Sequence, residues 1–392
     1  MKSEWKTSPL RDLVGFISKG IAPSYADEES ETTVRVLNQK CNRNFRITYS
    51  ESRLHDLSRK KVPTERFVRI DDILINSTGA GTAGRIAQIC NLPCDTIVDG
   101  HMIIIRANNK VSQKYLGYAM KAHQWEVLQL DEGSTGQTEL NRERLLDEIM
   151  ISYPTSFALQ EMIVKTLEGI DRKLLINEKV NDNLQQQAAA LFSSLYDRTN
   201  TEVRFTDLIQ ILGGGTPKTG ENTYWNGNIA FFTPKDVGAP YTLITEKTIT
   251  EEGLSHCNSR LYPVNTVFVT ARGTVGKVGM SGVPMAMNQS CYALVGKEAH
   301  QLLVYFYTLK AVDRLKHKAS GAVFDAITTR DFESEQIMKL SDDDATAFLR
   351  VAEPMFQEVL NNNIENLRLS TLRDSLLPKL MSGEIDVSAV QL

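Results

Sequence analysis

The sequence predicts an α+β protein: two tandem mixed α/β domains separated by two long helices that pair antiparallel as a coiled coil, a pseudo-two-fold internal repeat. Three observations carry that prediction. Apolar residues step by four and three through residues 157–197, as a helical seam does. The same heptad returns 185 residues later, since Ile163 becomes Phe348 and Leu195 becomes Leu380. The stretches before the two helices are short strand-like runs punctuated by Gly, Pro, Thr and Asn, and they share a glycine-rich turn.

The first domain, residues 1–155, contains the strand-like runs Val34-Arg35-Val36-Leu37 and Ile73-Leu74-Ile75, the second followed by Gly81-Thr82-Ala83-Gly84-Arg85. The first helical segment, 156–198, places Ile163, Leu167, Ile170, Leu174, Leu184, Ala188, Leu191 and Leu195 on one seam and skips it at Asn177 and Asn181. The second domain, 199–340, holds the turn-rich GGGTPKTGENTYWNGN, then Ile229-Ala230-Phe231-Phe232. After Val267-Phe268-Val269 it has Gly273-Thr274-Val275-Gly276-Lys277, an offset of 192 from the first glycine turn. Ser134-Thr135-Gly136 finds a looser counterpart in Ala319-Ser320-Gly321. The last segment, 341–392, repeats the seam as Phe348, Ala352, Met355, Val359, Leu369, Arg373, Leu376 and Leu380, with Asn362 and Asn366 at the skipped positions. Gly169 and Pro354 fall at matching places, and both residues weaken a helix interior. Each copy is therefore expected to be a short helix, a break and a helix of about 28 residues, roughly 42 Å at about 1.5 Å per residue.

Two similar seams must be buried, and the economical partner of each is the other. Antiparallel pairing would bring Asn177, Asn181, Asn362 and Asn366 together at the centre, where buried amides act best as a register device. Solvated amides on a slightly different seam are the competing reading.

Composition narrows the function. The chain has 392 residues, 42% hydrophobic and 23% charged, which is ordinary for folded protein and long enough for two or three domains. With no signal-like start and no long uncharged apolar run, a cytoplasmic location is expected. Five scattered cysteines, with Cys90 and Cys94 the only close pair, do not suggest a metal site. No phosphate-cradling loop is present, because the nearest candidate, Ala271 to Val278, lacks both the first Gly and the hydroxyl residue. The six histidines form no metalloprotease or deaminase pattern, and no nucleophile elbow or adenine-methylation motif appears. Catalysis, if any, belongs to a partner. The net charge of −4 counts against a simple nucleic-acid reading unless positive charge is gathered on one face or supplied by a partner.

The tandem layout, the paired Gly-Thr-x-Gly-Arg/Lys turns, the repeated helices and above all the C-terminal Leu372-Arg373-Asp374-Ser375-Leu376-Leu377-Pro378-Lys379-Leu380-Met381-Ser382-Gly383-Glu384-Ile385 carry a resemblance. The chain resembles the specificity (S) subunit of type I restriction-modification systems. That resemblance implies a non-catalytic subunit with two target-recognition domains reading an asymmetric bipartite DNA site. The helices would act as spacer and docking surface for two methyltransferase subunits, joined by restriction/motor subunits in DNA methylation, DNA restriction and phage defence. S-adenosylmethionine, ATP and Mg would belong to those partners and none to this chain. Two rivals remain: the recognition subunit of a type II enzyme cutting both sides of its site, and a structural protein dimerising through its helices.

DNA-contact candidates follow from base-edge chemistry, in which Arg and Lys suit guanine while Asn and Gln suit adenine. In the first domain these are Asn38, Gln39 and Lys40 after the strand-like run, with Arg43 and Arg46 beyond. In the second they are Thr233 and Lys235. Gly81 with Arg85, and Arg272, Gly273 and Lys277, would let backbone and cation approach phosphate. A solvated loop and a purely structural hairpin are the competing readings. Lys60, Lys61 and Arg66 form a basic run that reads first as solvated surface.

Overall fold

The computed structural model of the chain describes residues 4–132, 138–238, 240–318 and 326–387. The α+β class holds. The chain divides into two compact units, one formed by Met1–Arg172 with Leu369–Leu392 and the other by Lys173–Arg368. The repeat boundary and the unit boundary therefore differ, because each unit takes part of both long helices.

In the first unit an antiparallel sheet runs in the order Val14–Lys19, Met102–Ala107, Ile73–Asn76, Ile86–Gln88. Successive side chains of a strand point to opposite faces, and both faces here are buried. Ile73, Ile75, Ile103 and Ile105 join a core with Tyr115, Leu116 and the long helices, while Leu74, Met102 and Ile104 join a second core with Leu37 and Val98. Two-sided burial explains why these strands read as unbroken apolar runs. A second sheet, Thr96–Val98, Thr33–Leu37, Arg53–Asp56 and Tyr25–Ala26, contains one parallel pair, Thr96–Val98 on Thr33–Leu37.

The other unit repeats this two-sheet plan with five strands in its first sheet and three in its second. Its first sheet runs Ile209–Gly213, Cys291–Gly296, Val267–Thr270, Val278–Ser281, with Tyr241–Thr242 added at the edge. Its second sheet, Lys247–Ile249, Trp225–Phe232, Met285–Met287, again holds one parallel pair. The alternation recurs too: Val267, Val269 and Leu294 face one core, Phe268, Cys291 and Ala293 the other. Each half is closed by a two-stranded antiparallel pair at the foot of a long helix, Trp5–Pro9 with Met150–Pro154 and Glu202–Arg204 with Gln336–Met338.

The expected breaks at Gly169 and Pro354 do not occur. Phe157–Tyr196 is one helix of 40 residues and Asp342–Ser382 one of 41. Gly169 is exposed in open space and costs its helix only about 1 kcal/mol against Ala. Proline is worse, about 3 kcal/mol or more. Pro354, however, lies between Phe348 and Ala352 on one side and Phe356 and Val359 on the other, all 3% exposed or less. Each fully buried Phe or Val contributes about 1.5–3 kcal/mol, so packing outweighs the local penalty. The length of about 42 Å falls with the break, since a 40-residue helix is about 60 Å long.

Candidate nucleic-acid interface

In the first half the strand Thr33–Leu37 ends at Asn38, which caps the short turn Gln39–Cys41. The Asn38 side chain accepts from the Lys40 backbone N–H at 2.8 Å and donates to the Glu51 carbonyl at 2.8 Å, so its amide is engaged in shaping the turn. Gln39 follows, and its carbonyl accepts from the Asn76 amide at 3.1 Å, which ties the turn to the end of the strand Ile73–Asn76. Between Ile73–Asn76 and the antiparallel strand Ile86–Gln88 runs the glycine loop, a hairpin connection. Gly84 sits at φ 84, where an added Cβ would come within 2.9 Å of the Val127 carbonyl, so both conformation and crowding require glycine. Gln124 clamps the same loop by accepting from the Ile86 N–H and donating to the Gly84 carbonyl, both at 2.8 Å.

These pieces enclose a groove of about 570 Å³ whose lining includes Gln39, Lys40, Arg43, Phe45, Thr82 and Arg85. Two segments separated by some forty residues of sequence thus converge on one concavity with three cations. Arg85 donates one guanidinium N–H to the Gly81 carbonyl at 3.1 Å, partly closing its own loop. Gly81 itself has positive φ and open space where a Cβ would lie. Arg46 stands opposite Arg43 across a short hairpin, Asn42–Arg43 with Arg46–Ile47. Lys60 donates to the Ala22 carbonyl at 2.7 Å, a tie within its own surface loops.

The second half assembles the same pair of pieces with other side chains. After Trp225–Phe232 the chain turns at Thr233, whose backbone N–H and hydroxyl both donate to the Asp236 carboxylate, at 2.8 and 2.6 Å. Thr274 of the glycine loop donates to the Pro234 carbonyl at 3.3 Å, which joins turn to loop. Lys235, 79% exposed, lies 3.4 Å from Glu246. Arg272, Gly273 and Lys277 are exposed, Gly273 and Gly276 at φ 81 and 74. The Gly276 position also faces Lys316, whose Cε would lie 2.6 Å from an added Cβ.

The four asparagines of the helices meet. Asn177 donates to Asn366 at 2.8 Å and to Glu365 at 2.7 Å, and Asn362 donates to Asn181 at 2.9 Å. Asn181 in turn donates to Asn363 at 2.9 Å. The rising numbers on one helix meet falling numbers on the other, so these helix segments run antiparallel. Asn363, Glu365 and Lys173, which is 3.0 Å from Glu365, were not foreseen. The bond from Asn177, then that from Lys173, holds the Glu365 carboxyl below the usual carboxylate range. In the first unit the seam position Arg373 carries an ion pair to Asp171 at 3.0 Å, and Tyr118 donates to the same carboxylate at 2.8 Å.

Sequence reasoning missed Gln124, Asn42, Asn44 and Phe45. Asn44 alone left a signal, since asparagine tolerates the left-handed turn it occupies. The Ser134-Thr135-Gly136 and Ala319-Ser320-Gly321 counterparts lie outside the described residues. Among the described residues no helix is long and apolar enough to cross a membrane, and no cluster of His, Cys, Asp and Glu is arranged to hold a metal.

Comparison with known proteins gives a consistent picture. The model of the family described as type I restriction modification DNA specificity domain matches residues 2–186 and 198–339. The type I restriction enzyme MjaIX specificity subunit of Methanocaldococcus jannaschii is 31% identical over 127 residues, which are 31% of this chain and 29% of that protein. The HindI specificity subunit of Haemophilus influenzae is 27% identical over 185 residues, 46% of this chain and 40% of that one. The chain thus spans less than half the length of these two curated relatives. Among solved structures, the S subunit of a type I restriction-modification system from M. genitalium superimposes with a TM-score of 0.60 at 15% identity, covering 97% of this chain and 96% of that one. At that identity the likeness speaks for the fold.

Proposed function

The chain belongs to the type I restriction modification DNA specificity family, and from that premise we propose that it is the non-catalytic subunit that reads an asymmetric, two-part DNA site. Each half, about 1–155 and 199–340, serves as a target-recognition domain for one part of the site. The long helices set the gap between the parts and offer the docking surface for two methyltransferase subunits, to which restriction/motor subunits attach. S-adenosylmethionine, ATP and Mg belong to those partners.

One observation supports the recognition role above the others. In both halves the turn at the end of a strand is bonded to the glycine hairpin, to the end of its first strand through Asn76 and Gln39 in one and to its loop through Thr274 and Pro234 in the other. The result is a basic edge built twice on one framework, bearing amides in the first half and a threonine in the second. Base edges are read by such side chains, whereas the exposed glycine backbone and Arg or Lys suit phosphate. The framework is shared while the side chains differ, Gln39-Lys40 against Pro234-Lys235, which suits two unlike half-sites. Dimerisation through the helices is disfavoured, because their seams are spent within each unit: Phe192 packs on Phe348 in one, and Leu167 shares a core with Leu380 in the other.

The test is selection of duplexes from a random pool by the full chain assembled with its methyltransferase subunits. Enrichment of two fixed words separated by a constant gap is the expected result. Retention of duplexes without any enriched sequence would overturn the reading.

A further inference from the structure

The two halves differ at one place beside the glycine loop. In the second half Tyr241–Thr242 lies along Val278–Ser281 as a parallel edge strand. The first-half counterpart of Val278–Ser281 is Ile86–Gln88, and there the hairpin Asn42–Ile47 packs instead. Where one half completes its sheet, the other projects a hairpin and opens the 570 Å³ groove.

The tip of this hairpin is held in an unfavourable conformation. Asn44 and Phe45 both have positive φ, 53 and 60, the geometry of a tight two-residue turn that normally takes glycine at its second position. A bulky residue stays there only if its surroundings fix it. Two contacts do so. Asn42, fully buried, donates its amide to Asn76 at 3.1 Å and to the Arg85 carbonyl at 2.9 Å, fastening the hairpin base to the glycine loop. The Lys121 ammonium stands 4.9 Å from the centre of the Phe45 ring, and Lys121 is itself largely buried beside Asp171. Among the described residues, the exposed Arg43 guanidinium and Asn44 amide have no hydrogen-bond partner.

We propose that Asn42–Ile47 is the base-reading element of the first half, with the Asn44 amide and the Arg43 guanidinium presented to base edges in duplex DNA and Phe45 locking the tip. This rests on the recognition role proposed above and names where the two half-sites become unlike. By its chemistry Asn44 selects adenine and Arg43 guanine.

The experiment uses the full chain in its methyltransferase complex and measures binding to a panel of duplexes in which each base pair of the site is exchanged in turn. Asn44→Gly removes the amide at a backbone angle glycine accepts. It is expected to weaken binding to the intact site about 5- to 150-fold, as loss of a bidentate base contact does, and to flatten discrimination at one or two adjacent positions of one half-site. The other half-site should keep its profile. An unchanged profile overturns the proposal, and so does an equal loss on every duplex, which would mark a structural or phosphate role. Arg43→Ala, an exposed site, gives the same comparison should Asn44→Gly not fold. If the unaltered complex shows no sequence preference, the recognition role itself fails; if it prefers a two-part site and the hairpin variants match it, only the hairpin assignment falls.

Discussion

Arg85 and Lys277 occupy equivalent places, yet only Arg85 bends back to donate to its own loop, at Gly81. A guanidinium has donors to spare, so a phosphate contact is compatible with that bond. If Arg85 contacts phosphate, Arg85→Ala should weaken binding to all duplexes alike and lower the salt dependence by about one phosphate equivalent. A sequence-dependent loss in filter binding would reassign it to base reading. Glu365 supports a second prediction. Its carboxyl is held below the usual range by Asn177 and then by Lys173, so the charged form is the one the fold favours. The resulting stability is present above the ordinary Glu pKa of about 4.3 and fades as pH falls through the lower folded value. Glu365→Gln should therefore melt lower than the native chain near neutrality, with the gap narrowing as pH falls below the ordinary Glu range. A gap independent of pH would contradict this. At this scale the sequence was only partly legible. Strand-end polar residues stood out, but nothing local showed that the Asn38 amide is taken up by Lys40 and Glu51, or that Gln124 reaches the glycine loop from another helix.

The long helices were the most legible elements, because a seam of period 3.5 shows in the residues themselves. Of the positions assigned to it, Ile163, Leu167, Leu174, Ala188, Leu195, Phe348, Ala352, Val359 and Leu380 are buried. The breaks were misread for a physical reason: Gly169 and Pro354 act locally, while the aromatic core around Phe348 and Phe356 acts through residues distant in sequence. The asparagine cluster carries the prediction for this scale. Replacing Asn177, Asn181, Asn362 and Asn366 together with Leu should raise the melting temperature, since apolar groups of similar volume replace a buried polar set, while loosening the register. A lower melting temperature with cross-links between the helices unchanged would show that the amides act as simple stabilisers.

For the whole molecule the repeat was legible as two offsets, 185 in the helices and 192 at the glycine turns. What could not be read was the strand pairing, notably the parallel pairs, one in the first half and two in the second, and the hairpin that replaces an edge strand in the first. Those depend on contacts between segments with no shared sequence pattern. If the helices set the gap between half-sites, adding matched turns to both should lengthen the preferred gap while leaving both words unchanged. An unchanged gap would remove the measuring role but leave recognition intact. The central claim is that this chain gives its complex a two-part sequence specificity, and methylation-sensitive sequencing of the host genome with the gene intact and inactivated tests it most directly. Adenine methylation at a single motif of two unlike words with a fixed gap, lost when the gene is inactivated, is the predicted result. A methylation pattern that is the same with and without the gene would contradict the account.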